Sequence, residues 1–280
     1  MADAPLLTVD DLWVRFHTPH RIVEAVRGVS FTLAREKIGI VGERGSGKSM
    51  TGRAILKLTP PSAEVSARTL RFQELDLNRA SERDMLAVRG QRISLIMQDP
   101  KYALDPVMRV GDQIAEAIPD AARLNRAGRR ERVMAMLEAV RIRNPKRVYD
   151  LYPHEVSGGM GQRVMIAMML MPEPAMLIAD EPTSALDVTV RMQVLAILDD
   201  LVTRRGLGLM FISHDLNLVA TFCDRVLIMY AGRIVEECPA ADLHRAQHAY
   251  TRGLLASLPR INARRQRLAV LERDPAWLGD

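Results

Sequence analysis

The chain has 280 residues, enough for one large α/β domain or for a core domain with a smaller insertion. Hydrophobic residues make up 48% of the sequence, which is ample material for a packed core. The formal net charge of +5 is mild and spread along the chain, which favours solvated, Arg-rich helix faces over a surface for nucleic acid or acidic lipid.

Cysteine content and hydropathy place the chain in a reducing, aqueous compartment. The two cysteines, Cys223 and Cys238, form neither a disulfide framework nor a metal-binding motif, so we expect a cytosolic protein with reduced thiols. The start of the chain lacks a basic segment followed by an apolar one, and we expect no signal peptide. No apolar run approaches the roughly 20 residues that span a bilayer. Any membrane association is therefore expected to come through a partner.

The first third of the chain contains two alternating apolar and polar segments and then a glycine-rich loop. Residues 6–16 and 25–33 predict strands of an antiparallel β patch. The apolar run 38–41 predicts a buried strand, and residues 50–58 predict a helix. The loop between this strand and helix has the pattern G-x-x-x-x-G-K-S, made by Gly42, Glu43, Arg44, Gly45, Ser46, Gly47, Lys48 and Ser49.

This strand–loop–helix arrangement predicts a phosphate-binding loop. Glycines let the backbone curl so that its N–H groups point inward, and the positive end of the following helix dipole faces the same place. Lys48 can reach the outer phosphates of a nucleotide, and the Ser49 hydroxyl can hold Mg²⁺. The alternative is a glycine-rich turn before an ordinary helix, which leaves the ordered Lys-Ser pair unexplained.

The rest of the chain alternates strands and helices around a helical insertion. Asp-Pro turn signals precede amphipathic helical patterns, so residues 99–161 predict a helical insert. The alternation predicts a mostly parallel sheet with helices on both faces. The predicted strands are 69–75, 92–97, 175–179 and 207–212, with a hairpin at 225–229 and 233–237. The predicted helices are 81–89 with Ser81 as N-cap, 110–118, 126–140, 159–171, 188–204 and 216–222.

Two carboxylates follow the apolar strand 175–179. The carboxyl ends of parallel strands form the ligand edge of a sheet, so Asp180 and Glu181 are expected near the phosphate loop. Asp180 suits a role beside Mg²⁺, which prefers oxygen ligands, and Glu181 suits a general base for the attacking water. The alternative is a pair of acids at an ordinary strand end.

A second anion-binding pattern precedes the helix 159–171. Ser157, Gly158 and Gly159 combine a capping hydroxyl with glycines at a helix start. One nucleotide rarely needs two such sites, so the second one makes sense if it serves a nucleotide held by another subunit. An ordinary N-cap with a loose turn is the alternative.

Taken together, these motifs resemble the ATP-binding subunits of ABC transporters over nearly the whole chain. Gly42 to Ser49 matches the Walker A loop of that family, residues 176–181 the Walker B strand, and Ser157 to Gly159 the signature. Gln98 matches the Q-loop, residues 184–187 the D-loop, and His214 the switch histidine. All six occur in the family's order.

The resemblance implies an α/β fold with a P-loop NTPase (RecA-like) core, an N-terminal antiparallel β subdomain and a helical insert. The expected division is a catalytic core of residues 1–98 and 162–245, a helical subdomain of residues 99–161 that carries the signature, and a C-terminal extension of residues 246–280.

The resemblance also implies the ligands and the residue roles. ATP would lie between the Walker A loop of one subunit and the signature of a second subunit packed head to tail. Mg²⁺ would be held by Ser49, Gln98 and Asp180, while Glu181, His214 and Gln98 would be catalytic. Asp187 would link the two sites. Phe16 is the expected adenine-stacking residue, with Trp13, His17 and a plain core role for the phenylalanine left as alternatives.

Finer features resemble the oligopeptide, dipeptide and nickel importer branch of the family. They are residues 152–155, the segments around Gln98, and the tail 249–255. This resemblance implies two membrane permease subunits, a second ATPase subunit that is a copy or a paralogue, and indirectly a periplasmic solute-binding protein. The subunit would be peripheral at the cytoplasmic face of the inner membrane and would not bind nucleic acid. Gly161 departs from the basic residue usual in the branch and places a glycine inside a helix.

Two other functions remain as alternatives. One is an ABC-type ATPase acting on nucleic acid or ribosomes; such relatives carry long coiled coils or two ATPase domains, whereas this chain has a single Walker A loop. The other is an export or lipoprotein-release ATPase, whose subunits typically lack the tail after Gly232. The transported solute and the choice between homodimer and heterodimer stay open.

Overall fold

A computed structural model describes residues 4–184, 186–258 and 277. Its elements alternate strands with helices, and short 3₁₀ turns at Pro100–Tyr102, Ala121–Arg123, Pro153–Glu155 and Ala240–Arg245 connect some of them. The strands are β1 Leu7–His17, β2 Ile22–Leu33, β3 Lys37–Val41, β4 Ala63–Ser66, β5 Thr69–Phe72, β6 Leu75–Asp76, β7 Ile93–Ile96, β8 Met176–Asp180, β9 Gly208–Ser213, β10 Arg225–Tyr230 and β11 Arg233–Pro239. The helices are α1 Lys48–Ile55, α2 Glu82–Val88, α3 Val110–Glu116, α4 Arg126–Ala139, α5 Pro145–Asp150, α6 Gly158–Leu170, α7 Val188–Arg205, α8 Leu216–Phe222 and α9 Ala249–Ser257.

Contacts divide the chain into two compact units. The first unit contains Met1–Arg79 and Met210–Asp280, and the second contains Ala80–Leu209. The predicted helical subdomain, residues 99–161, falls within the second unit. The predicted domain boundaries themselves stay a prediction.

The first unit contains the antiparallel β patch that the alternating N-terminal segments predict. Its strands run in the order β2-β1-β5-β6, and β4 also pairs with β1. The buried residues of β1 are Leu7, Val9, Leu12 and Val14. The pairing of β1 with β2 shifts by a residue between Val9 and Leu12, at a bulge where Asp11 has a φ of 54°. The bulge keeps apolar side chains on one face of the sheet although the strict alternation is broken.

The first unit also carries the strand that leads into the phosphate loop. The order here is β11-β10-β3-β9; β10 runs parallel to β3 and antiparallel to β11. Helix α8 packs closely on β3. A Cβ at Gly39 would lie only 2.1 Å from Cγ1 of Val219, so this contact leaves no room for a side chain at Gly39. The strand residues are buried without alternation, as expected for strands covered on both faces.

The second unit combines a parallel strand pair with the helical insert. Strand β7 runs parallel to β8, and α6 packs on β7. Helices α3, α4 and α5 pack against one another and, for α3 and α4, against α6. The ring of Tyr149 from α5 lies where a side chain at Gly111 of α3 would be, 2.3 Å from a Cβ there. The helical character predicted for residues 99–161 is thus observed.

Some element predictions differ from the structure. The predicted strand 69–75 is two short strands, since the chain reverses at Gln73 with a φ of 51°; β4 was not predicted. The predicted helix 50–58 begins two residues earlier and ends at Ile55, before Lys57 adopts a φ of 50°. Of the predicted C-terminal extension, residues 259–276 and 278–280 lie outside the described residues. None of the helices in the described part of the chain combines the length and the apolar composition needed to cross a bilayer.

Candidate active site

The phosphate loop, residues 42–49, connects β3 to α1 and has no room for side chains at two of its glycines. A Cβ at Gly42 would lie 2.1 Å from the carbonyl oxygen of Met229, and one at Gly47 would lie 2.5 Å from that of Ala25. Gly47 also has a φ of 101°, a conformation that favours glycine. The neighbouring strands therefore fix the shape of the loop through close backbone contact.

Lys48 lies inside this loop with only 5% of its surface exposed. Its ammonium group donates hydrogen bonds to the carbonyl oxygens of Gly42 and Glu43, both at 2.8 Å. A buried cation at the start of a helix, enclosed by a tight backbone turn, is the arrangement that attracts the phosphates of a nucleotide. Phosphate binding by Lys48 stays a prediction.

The turn between β10 and β11 supports the loop from one side. The N–H of Gly232 donates to the carbonyl oxygen of Ser46 at 3.0 Å, and the N–H of Arg27 donates to the carbonyl oxygen of Gly232 at 2.8 Å. Beside this turn is a cleft of about 730 Å³ whose lining includes Gly45 and three arginines, Arg15, Arg21 and Arg27. Sequence reasoning missed these arginines, because isolated arginines form no recognisable motif.

Phe16, the predicted adenine-stacking residue, is half-buried on β1, whereas its neighbour Arg15 lines the cleft. The two alternative stacking residues, Trp13 and His17, make other side-chain contacts. Trp13 lies under the Arg15 guanidinium at 4.3 Å and donates to Asp11, and His17 contacts Glu64 at 2.7 Å. Phe16 has no ring or cation contact within residues 4–184, 186–258 and 277. Its role in stacking stays a prediction.

The parallel register of β7 and β8 brings two predicted catalytic residues together. Ile96 pairs with Ala179, so both strands end at the same level and Gln98 follows one while Glu181 follows the other. The amide nitrogen Nε2 of Gln98 lies 3.4 Å from Oε2 of Glu181. Asp180 is the last residue of β8. The second unit thus gathers Gln98, Asp180 and Glu181 at one strand edge.

Glu181 has a strained backbone, with a φ of 48°. A residue other than glycine in this region costs on the order of 1 kcal/mol and is frequent at active sites. Ser184 stabilises this backbone conformation. Its N–H and its hydroxyl both donate to the Glu181 carbonyl oxygen, at 3.2 and 3.1 Å. This turn, which the sequence pattern did not reveal, sets the direction in which the Glu181 side chain leaves the strand.

The signature begins α6. Ser157 is the N-cap, and its hydroxyl accepts the N–H of Met160 at 3.4 Å. The two glycines that follow have different surroundings. A Cβ at Gly159 would lie 2.5 Å from Cγ1 of Val190, whereas a Cβ at Gly158 would meet nothing within 4 Å. Packing within the chain explains Gly159 but not Gly158, which is exposed together with Ser157.

Asp187 and His214 each lie beside a helix start. The Asp187 carboxylate accepts the N–H of Val190 at 3.0 Å and so caps α7, while Ala185 of the predicted D-loop lies outside the described residues. His214 is exposed directly after β9. The next residue, Asp215, caps α8 through the N–H of Leu218 at 3.1 Å. Both predicted residues thus lie on short connections fixed by hydrogen-bonded caps.

The predicted metal ligands offer a hydroxyl, an amide and a carboxylate. In the parts of the chain that the structure describes, no group of three or more His, Cys, Asp and Glu side chains could hold a metal ion. Mg²⁺ needs few protein carboxylates, because it keeps several waters and takes phosphate oxygens as ligands. A hydroxyl, an amide and a carboxylate are oxygen donors of the types that suit Mg²⁺ bound together with a nucleotide. Ser49 belongs to the first unit and Gln98 and Asp180 to the second, and their joint role as ligands stays a prediction.

Comparisons with known proteins identify the family to which the chain belongs. The ABC transporter family model matches residues 26–184. The probable peptide ABC transporter ATP-binding protein y4tR of Sinorhizobium fredii is 48% identical over 267 residues, which are 94% of this chain and 80% of that protein. The dipeptide transport ATP-binding protein DppD of Bacillus subtilis is 43% identical over 96% of this chain and 82% of its own length.

Solved structures show the same fold. A dimeric structure of MJ0796, a bacterial ABC transporter cassette, superposes with a TM-score of 0.74 at 24% identity, over 84% of this chain and 98% of that one. The structure of cbiO1 from Clostridium perfringens, part of the ABC transporter complex cbiONQ, gives a TM-score of 0.72 at 25% identity, over 87% of this chain and 92% of that one. The predicted α/β, P-loop ATPase fold is confirmed, and the chain belongs to the ABC transporter family as one of its ATP-hydrolysing subunits.

Proposed function

We propose that this ATPase powers the import of peptides or a similar small solute through two membrane permease subunits. The observation that carries the ATPase chemistry is the position of Glu181, held on a strained turn at the strand edge beside Gln98. Relatives whose names specify peptide and dipeptide transport support the class of solute. The reaction is ATP + H₂O → ADP + phosphate.

Each residue at the site has a proposed task. Lys48 and the N–H groups at the start of α1 bind the phosphates, as the loop shape and the buried ammonium group suggest. Glu181 accepts a proton from the attacking water, and His214 stabilises the charge that develops on the transferred phosphoryl group. Ser49, Gln98 and Asp180 hold Mg²⁺, which when bound neutralises part of the phosphate charge.

A second ATPase subunit completes the proposed site. Ser157 and Gly158 are exposed at a helix start, and the open space at Gly158 leaves its small size unexplained by packing within the chain. A nucleotide held on the phosphate loop of a partner packed head to tail would approach this helix start and need that space. In this arrangement Asp187 links the two sites. The partner is a copy of this chain or a paralogue.

The proposed location is the cytoplasmic face of the inner membrane, where the subunit is peripheral. The permeases span the membrane, and a periplasmic solute-binding protein delivers the solute to them. Support comes from the transport names of the relatives and from the absence, within the described residues, of a helix suited to crossing a bilayer.

A tagged pull-down from gently solubilised membranes tests this proposal, with the recovered proteins identified by mass spectrometry. We expect two multi-span permeases, with or without a second ATPase, and this result would also settle the subunit pairing. Ribosomal or DNA-bound proteins in their place would contradict the importer proposal.

A further inference from the structure

Tyr250, near the start of α9, reaches the phosphate loop from the C-terminal extension. It is fully buried, and its hydroxyl accepts a hydrogen bond from the backbone N–H of Glu43 at 3.1 Å. Its ring lies 4.5 Å from that of Tyr230 on β10 and 5.8 Å from that of Trp277, centroid to centroid. The hydroxyl is therefore held at the second residue of the loop by aromatic packing around the ring.

The peptide unit that Tyr250 contacts is the one that Lys48 contacts. Gly42 supplies the carbonyl of this unit, which accepts from the Lys48 ammonium group at 2.8 Å, and Glu43 supplies the N–H that donates to Tyr250. The unit is thus hydrogen-bonded at both ends, by the lysine expected to bind phosphate and by the tyrosine. A rotation of this peptide would shift the carbonyl that positions Lys48.

The start of α9 is itself attached to β11. The Glu236 carboxylate accepts the backbone N–H groups of Gln247 at 2.6 Å and His248 at 3.3 Å, and the His248 ring nitrogen Nδ1 accepts the N–H of Tyr250 at 3.2 Å. Strand β11 pairs with β10, which pairs with β3, the strand that enters the loop. Two independent sets of contacts therefore fix Tyr250 relative to the loop. One is the hydrogen bond of its hydroxyl, and the other is the attachment of α9 to the sheet that contains β3.

We propose that Tyr250 is a positioning residue for nucleotide binding, through which the C-terminal extension holds the entry of the phosphate loop in its binding conformation. The proposal rests on the proposed function, in which this loop binds ATP. Tyr250 contacts the loop backbone and not the reacting atoms. It acts on nucleotide affinity and leaves the rate of the chemical step to other residues.

The test is Tyr250→Phe in the full chain, with the dissociation constants for ATP and ADP, KM and kcat measured. The ring and its packing remain, and the hydroxyl that accepts the Glu43 N–H is lost. The substitution removes one hydrogen bond that holds the loop, so we expect KM and both dissociation constants to rise about three- to tenfold. We expect kcat at saturating ATP to stay within about twofold of the original protein.

Tyr230→Phe is the matched control. Tyr230 belongs to the same aromatic cluster, and within the described part of the chain its hydroxyl makes no hydrogen bond. We expect its affinity and KM to match those of the original protein. If the two variants changed KM and the dissociation constants equally, or if Tyr250→Phe lost thermal stability and kcat in parallel, Tyr250 would have only a packing role. Either result would overturn the proposal.

Amide hydrogen exchange gives a local readout that general packing would not produce. In the protein without nucleotide, a peptide covering the phosphate loop should exchange faster in Tyr250→Phe, while peptides of the helical insert keep their rates. Glu236→Gln weakens the attachment of α9 and leaves the Tyr250 side chain unchanged. This variant should therefore also raise KM, as Tyr250→Phe does. Unchanged KM in both variants would overturn the proposal.

Lys48→Ala separates this proposal from the function on which it rests. Loss of ATP binding in Lys48→Ala together with normal binding in Tyr250→Phe would overturn the role of Tyr250 alone. Normal ATP binding in Lys48→Ala would contradict the nucleotide site itself.

Discussion

Gly158 and Gly159 are adjacent in the signature, yet different physical requirements act on them. A side chain at Gly159 would overlap Val190, whereas one at Gly158 would project into open space. The fold thus requires one glycine and tolerates replacement of the other. If the space at Gly158 serves a partner's nucleotide, its replacement should affect activity and spare the fold.

Substituting these glycines by alanine separates the two requirements. We expect Gly158→Ala to unfold at the same temperature as the original protein but to hydrolyse ATP at least about tenfold more slowly, a change of about 1.4 kcal/mol in the barrier. Thermal unfolding and steady-state ATPase assays measure both. Full activity in a folded Gly158→Ala variant would count against the shared site.

Gly159→Ala is the matched comparison. The added methyl group forces Val190 or the helix to move, so we expect a loss of about 1–3 kcal/mol in the free energy of unfolding. Because the conflict is with Val190, the double variant Gly159→Ala, Val190→Ala should lose less than the sum of the single losses. Additive losses would mean that the two positions do not interact.

At the scale of elements, the signature helix α6 contains a glycine that packing does not require. Gly161 is buried, and a Cβ there would lie 3.4 Å from Cγ of Pro100, an ordinary contact distance. The departure that the sequence showed at this position is therefore a weakness of the helix and not a steric necessity.

Gly161→Ala should stabilise the protein. Alanine has a higher helix propensity than glycine, by about 1 kcal/mol, and we expect a gain of up to about that size in the free energy of unfolding. Gly128→Ala, in the first turn of α4, is a control with a similar propensity change and no apolar contact at that distance. Chemical denaturation measures both. A destabilised Gly161→Ala variant would show that the contact with Pro100 is tighter than its distance indicates.

Local patterns predicted most elements because they report burial and capping within a few residues. Ser81 caps α2 with its full capping box, and the helix 216–222 was predicted with its observed bounds. The pattern of residues 69–75 failed for a physical reason, since a left-handed turn at Gln73 reverses the chain without glycine or proline to mark it. Strand β4 was missed because it forms only by pairing with β1, far away in the sequence.

At the scale of the whole molecule, long-range contacts determine what sequence reasoning could not supply. Tyr250 and Glu43 are 207 residues apart, and no motif links them. The rule that strand ends share an edge was applied only to Asp180 and Glu181, relative to the phosphate loop. The proximity of Gln98 and Glu181 was not predicted and follows from the register of β7 and β8. Motifs thus identified the residue types, whereas pairing and packing determine which residues meet.

The attachment of α9 should depend on pH. Burial by itself raises the pKa of the Glu236 carboxyl, but the Thr251 hydroxyl and the N–H groups of Gln247 and His248 outweigh it, so the pKa lies below its ordinary value of 4.5. A lowered pKa in the folded state means that the ionised carboxylate stabilises the fold above 4.5 and that this contribution is lost as the pH falls below it.

Glu236→Gln tests this dependence. At neutral pH the variant should be less stable than the original protein, and the difference should shrink as the pH falls below 4.5. Thermal unfolding as a function of pH measures it. Asp242→Asn, which removes a half-exposed ion pair with Arg245 at 3.7 Å, is the control and should show little difference at any pH. A pH-independent difference for Glu236→Gln would contradict the assigned role of the carboxylate.

The proposed ATPase chemistry depends most on Glu181, which is held on its strained turn beside Gln98 and is the proposed base. The most direct measurement is ATP binding and hydrolysis by Glu181→Gln beside the original protein, with the molecular mass recorded in the presence of ATP. We expect unchanged ATP affinity, a loss of at least about a hundredfold in hydrolysis, and a trapped dimer, because the amide keeps the shape of the side chain and cannot accept the proton. Near-normal hydrolysis by this variant would remove Glu181 from the role of base.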